Sequence, residues 1–242
     1  MLTSSLYNQY WQTYFANGKV LPLGTQAPLY SDYADREAQM QDYHSYLGNR
    51  QLKYLLIGEA APSSGKTYFY NPYHLERTSW MFAPYQAFYG TWKQALNKGD
   101  KLDRLKDLAE KGFLLIDLFP FALNYEDLRK SLNNTGASVW FYNNHLLPII
   151  NNLKSSQRLN SRYYLAFSGP LTIHNHLVAS MGSGIISNPA GAICYYNSPT
   201  VKPGIKKALT GKGPKPPLYR CCAGDRSGNV NEFLVRNAFD LP

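Results

Sequence analysis

Apolar residues recur along this chain in two rhythms, and their alternation lays out the elements. Residues 1–17 carry Leu6, Tyr10 and Tyr14 at helical spacing until Gly18 stops the run. Asp32 to Leu47 predicts a second helix, capped by Ser31 or Asp32 and closed by Gly48. Tyr54 to Ile57 is a short continuous apolar run, the pattern of a buried strand, and Gly58 ends it. Ser79 to Asn97 and Lys101 to Lys111 predict helices parted by Lys98-Gly99-Asp100, and Gly112 hands over to a second strand, Phe113 to Leu118, ended by Pro120. A helix over Ala137 to Leu153, kinked or divided at Pro148, precedes a third strand, Tyr163 to Phe167. Ser168-Gly169-Pro170 turns the chain into a helix through Ser180, and Gly184 to Ser187 forms a very short fourth strand. Asn229 to Phe239 closes the chain as a helix with Val230, Phe233, Leu234 and Ala238 apolar.

Strands that alternate with helices predict a parallel sheet covered on both faces. No internal repeat or compositional shift marks a boundary. The expected architecture is therefore one α/β domain over residues 1–242, a three-layer α/β/α sandwich around a four-stranded parallel sheet.

Composition narrows the class. With 44% hydrophobic and 17% charged residues, a chain of 242 residues buries a full core. No apolar run approaches the roughly 18 residues of a membrane span. The first residues, Met1-Leu2-Thr3-Ser4-Ser5, bring no basic segment or apolar signal region, so an intracellular protein is expected, and a monomer is expected as its state. Three cysteines, Cys194, Cys221 and Cys222, make neither a disulfide framework nor a four-thiolate cluster. His174 and His176 lack a nearby Cys or carboxylate cluster, so neither a metal nor a cofactor is expected.

The charge changes the expected partner. Against 16 acids stand 25 Lys and Arg, for a net charge of +9, which favours a polyanion such as DNA. From Asn197 to Arg220 the basic residues are interleaved with Pro and Gly, and Lys206, Lys207, Lys212 and Lys215 are candidate phosphate contacts. The 20 tyrosines offer faces for base stacking, although most fill the core.

Candidate chemistry concentrates after the first strand. Glu59 is the one acid of a small-residue loop there, and open α/β sheets bind ligands beyond the carboxyl ends of their strands. The same loop, Ala60 to Thr67, matches a relaxed phosphate-loop pattern, with Asp117 at the end of the second strand as the corresponding magnesium ligand. Such a loop needs a helix to follow it, and Pro72 breaks any helix within two turns.

Two strand-end motifs together resemble the uracil-DNA glycosylase superfamily. Gly58-Glu59-Ala60-Ala61-Pro62 is similar to its first motif. Asn188-Pro189-Ala190-Gly191, about 130 residues on, resembles the second motif of the mismatch-specific branch. The resemblance covers roughly residues 50–200. It implies that Glu59 positions or activates water for attack at C1′, while Asn188 lies near the glycosidic bond and leaving base. It also implies that Phe69 or Tyr70 stacks on the flipped base, and that Asp117 reads the base edge beside Gly58 and Ala60. Ser63, Ser64 and Lys66, with Gly191, Ala192 and Ile193, would contact DNA. Asp117 stands where the family has an amide. An ionised carboxylate only accepts, so it suits bases with an exocyclic amine unless it holds a proton. The implied activity is that of a monofunctional DNA glycosylase. The alternatives are a phosphate-loop nucleotide hydrolase and a non-catalytic nucleic-acid-binding module.

Overall fold

The computed structural model describes residues 1–15, 20–21, 24–62, 68–74, 82–90, 97–123, 135–167, 179, 184–186 and 239–241. The fold is mixed α/β, with its helices disposed around a parallel sheet.

Helix α1, Ser4–Tyr14, is capped by the Thr3 hydroxyl, which accepts from Leu6 N–H. Its buried face is Tyr7 and Trp11, continued by Phe15, one position along from the stripe expected at Leu6, Tyr10 and Tyr14. Ring contacts hold this face in the core: Tyr7 and Trp11 meet Phe121 edge-on at 4.9 and 5.0 Å, and Phe15 meets Phe119 and Phe121. Helix α2, Tyr30–Leu47, begins two residues before the predicted start. Leu29 occupies the cap position without a side-chain bond, and Asp32 lies inside the first turn, where its charge suits the helix dipole. Gly48 closes it.

Strand β1, Leu52–Pro62, and strand β2, Phe113–Leu123, each run 11 residues, well past their predicted ends at Gly58 and Pro120. Between them lie α3, Phe82–Tyr89, and α4, Lys98–Glu110. The expected break at Lys98-Gly99-Asp100 is in fact the first turn of α4, because the Asn97 side chain accepts from Asp100 N–H at 3.0 Å and caps it. Gly112 has a φ of +70°, and a Cβ there would press on the Gln51 carbonyl, so the turn into β2 requires glycine.

Helix α5, Thr135–Phe141, passes through a π-helical turn, Tyr142–Leu146, into α6, Leu147–Ser155. Pro148 brings no N–H to the Asn144 carbonyl, and the Tyr10 hydroxyl of α1 donates to that carbonyl instead, at 3.0 Å. Proline therefore reshapes the helix without ending it. Strand β3, Leu159–Phe167, and the two-residue β4, Ile185–Ile186, follow. The predicted helix to Ser180 lies outside the described residues apart from Ala179. Of the predicted closing helix, only Phe239 is described. It lies in a turn, fully buried between Tyr54, Phe88 and Phe113.

The strand order is β2-β1-β3-β4, all parallel. From β1 the chain steps to one side, then crosses back over β1 to β3, which makes the β1/β3 boundary the topological switch point. No described helix is long and apolar enough to cross a membrane.

Candidate functional site

Strand order fixes where a site belongs. Parallel sheets bind ligands outside the carboxyl ends of the strands at the switch point. Among the described residues, the last β1–β3 pair is Ile57 with Phe167, while β1 continues beside β2 through Gly58 with Asp117 and Ala60 with Phe119. Glu59 is thus part of β1 itself and not of a loop after it. It follows the last β1–β3 pair by two residues and is buried, at 8% exposure.

Gly58 is what lets Asp117 occupy its place. The two are register partners, and a Cβ on Gly58 would overlap Asp117 Oδ1. Side chains alternate along a strand, so Glu59 leaves β1 on the face opposite to that of Gly58 and Asp117. The sheet therefore separates the two carboxyls. Asp117 is half-buried, and burial pushes its pKa up to about 7. The Arg36 guanidinium opposes that shift and Glu37 adds to it. A pKa near 7 divides this carboxyl between its two protonation states at neutral pH.

Sequence reasoning missed Arg36, which is 4% exposed. Its Nη2 donates to the Pro120 carbonyl at 3.3 Å, and its buried Nη1 has no partner among the described residues. A signal was present: Tyr33, Arg36, Met40, Tyr43 and Leu47 form the apolar stripe of α2, with one cation at a core position. The same signal marks Lys101 and Arg104 on the buried face of α4. Lys101 is fully buried and donates to the His74 carbonyl at 3.2 Å. Burial, with Arg104 nearby, lowers its pKa to about 7.

Phe69 and Tyr70 are core residues. Tyr70 packs against Tyr43, Tyr68 and Phe69, and Phe69 also meets Phe113. The Tyr70 hydroxyl accepts from Leu115 N–H at 2.9 Å and donates to Leu115 C=O at 2.8 Å. Tyr68 is buried beside the Asp117 charge, and both effects push its hydroxyl pKa upward, burial most. Residues 68–74 form turns, with Asn71 N–H bonded to the Tyr68 carbonyl and His74 N–H to that of Asn71. The helix that a phosphate loop requires after Thr67 is not there.

The structure puts Gly58, Glu59, Ala60 and Asp117 on adjoining strands, with Gly58 and Asp117 in register and Glu59 on the opposite face. Ser63, Ser64, Lys66, Asn188, Gly191, Ala192, Ile193, Lys206, Lys207, Lys212 and Lys215 lie outside the described residues. Among the described residues, no group of three or more His, Cys, Asp or Glu side chains is arranged to hold a metal ion. Compared with protein-family models, curated proteins and solved structures, the chain has no match in any of the three.

Proposed function

We propose that this chain is a DNA glycosylase-like protein of the uracil-DNA glycosylase superfamily, built as a three-layer α/β/α sandwich and acting inside the cell as a monomer. The observation that carries the reading is the Gly58-Glu59 step. It lies at the switch point with the Glu59 carboxyl on one face of β1 and Asp117, whose pKa burial raises to about 7, on the other.

Cleavage of an N-glycosidic bond leaves positive charge on the sugar and negative charge on the base. A buried anion on the sugar side and a donor on the base side favour that separation of charge. In this reading Glu59 orients water and stabilises the sugar cation. The nucleotide enters beyond the last β1–β3 pair, beside Glu59, and meets Asp117 from the other face of β1. Protonated, Asp117 offers a donor and an acceptor, as an amide does; ionised, it offers acceptors only. Base preference then turns on pH around 7. Arg36 Nη1 supplies fixed positive charge behind the same strand ends. No stacking role passes to Phe69 or Tyr70, whose rings and hydroxyl are committed to the core. Asn188 and the basic arm keep the roles that the motifs and net charge imply.

The test is a base-release screen by mass spectrometry over DNA carrying deaminated and modified bases. Release of a free base, leaving an abasic site, is the expected result. Salt-sensitive DNA binding with no release from any substrate would replace this reading with a non-catalytic nucleic-acid-binding module.

A further inference from the structure

A parallel sheet gathers its strand starts at one end, here the end away from the Gly58-Glu59 step. Backbone bonds set three of those starts side by side. Leu52 N–H donates to the Arg158 carbonyl at 2.7 Å, and Lys53 N–H donates to the Gly112 carbonyl at 2.8 Å. The turns into β2, β1 and β3 are therefore neighbours, about 5 Å from one strand to the next. Helices α2, α4 and α6 end there too, each just before one of these strands.

The charge at this end is mostly positive. Arg50, Lys111 and Arg158 stand immediately before β1, β2 and β3, Lys53 and Arg162 lie early in β1 and β3, and Lys154 closes α6. Opposed to them are Glu110, the last residue of α4, and Asp240, next to the Phe239 ring that meets Tyr54 and Phe113. Two of the cations complete the fold. Arg158 donates to the Gly48 carbonyl at the end of α2, and Lys154 suits the negative end of the α6 dipole. Arg50, Lys53, Lys111 and Arg162 are exposed, and none forms an ion pair with a described residue. The Lys111 ammonium lies 5.0 Å from the ring centroid of the half-buried Tyr89, which stacks on Tyr85.

Cations on adjoining strands stand close enough for their fields to add, and a chain of phosphates gains most from such a surface by releasing its counterions. A tyrosine face beside an ammonium suits a base next to its phosphate, which an acidic peptide does not offer. We propose that the amino end of the sheet is a docking surface for a nucleic-acid strand, with Arg50, Lys53, Lys111 and Arg162 on the phosphates and Tyr89 beside a base. From Lys53 to Glu59, β1 advances roughly 20 Å, so a strand held here lies clear of the candidate site and anchors a longer molecule at a second place. The inference rests on the nucleic-acid partner of the proposed function and not on base release.

Fluorescence anisotropy of a labelled single-stranded oligonucleotide, titrated with the full chain over a range of salt, tests it. Each phosphate contact on a single strand contributes about 0.7 to the slope of log affinity against log salt. Changing Arg50, Lys53, Lys111 and Arg162 together to Gln should flatten that slope by roughly three units and weaken low-salt binding at least about tenfold. Lys98→Gln, an exposed cation at the other end of α4, should leave both as they are. Circular dichroism and the urea midpoint check that the quadruple variant keeps the wild-type fold. If the wild type binds no strand, the partner and the surface both fall. If the wild type binds and the quadruple variant keeps its slope, or Lys98→Gln flattens it as much, the surface alone is overturned. Polyglutamate and phosphatidylserine vesicles complete the set: loss of binding to either in the quadruple variant, with strand binding intact, would replace the nucleic acid by that partner.

Discussion

The two sides of the β1–β2 pair handle polar groups in opposite ways. On the outer side, the free edge of β2 is sealed. Tyr43 donates to the Phe113 carbonyl at 2.6 Å, Tyr70 answers both backbone groups of Leu115, and Arg36 caps the Pro120 carbonyl. An exposed strand edge invites pairing with another chain, and α2 with the 68–70 turn removes that hazard using side chains alone. On the inner side, at the switch point, Gly58 withholds a side chain so that Asp117 can place a carboxyl there, and that carboxyl titrates near neutrality. Polar groups on the outer side complete the fold. Those on the inner side are the ones that the proposed chemistry uses.

The comparison can be broken first at the seal. Tyr70→Phe leaves the Leu115 N–H and C=O unanswered in the core, each at about 1–3 kcal/mol, whereas Tyr43→Phe bares only the Phe113 carbonyl. Urea unfolding should therefore rank Tyr70→Phe well below Tyr43→Phe in stability, and equal losses would mean that the seal is not what these hydroxyls provide.

Next is Gly58→Ala, whose methyl must displace the Asp117 carboxyl at about 1–3 kcal/mol. The loss should shrink in an Asp117→Ala background. An undiminished penalty in the double variant would place the strain elsewhere.

The smallest effect is that of pH. Asp117 has a folded pKa of about 7 against an ordinary 3.8, so the folded protein holds this proton more tightly than the unfolded chain. Its favourable contribution is fully present below about pH 4 and is lost as pH rises through 7. Solvent reaching the half-buried carboxyl reduces its size. Between those limits the wild type should lose stability relative to Asp117→Asn. Parallel stability curves for the two proteins would contradict the shift.

Much of the architecture was legible in the apolar rhythm: strand cores at Tyr54–Ile57 and Phe113–Leu118, a helix ending at Gly48, and a parallel sheet. The strand ends were not, because Gly58 and Pro120 are breakers by local rule and tertiary structure overrides both. Gly58 makes room for a carboxyl. Pro120 lies in an edge strand, where a missing N–H is tolerated, within an irregular stretch that sets Ala60 and Pro62 against Phe119 and Leu123. At the candidate site, Glu59 and Asp117 stood out as strand-end acids, but their opposite faces follow only from the register. The aromatic run Tyr68-Phe69-Tyr70 offered itself as a stacking platform. That a tyrosine hydroxyl instead answers a strand edge 45 residues away depends on a long-range pairing that no local pattern carries. Arg36 is legible as the one cation on the apolar stripe of α2, but its bond to Pro120 is not.

The most direct test of the division between the two sides compares Glu59→Gln with Tyr70→Phe, measuring the urea midpoint and the single-turnover rate of base release on the best substrate from the screen. Glu59→Gln, under conditions where it remains folded, should lose at least about 10²-fold in rate, the scale of one positioned acid–base group. Tyr70→Phe should lower the midpoint and, under conditions where it remains folded, release base at the wild-type rate. A Glu59→Gln variant that releases base as fast as the wild type would contradict the assignment of the chemistry to the inner side of the pair.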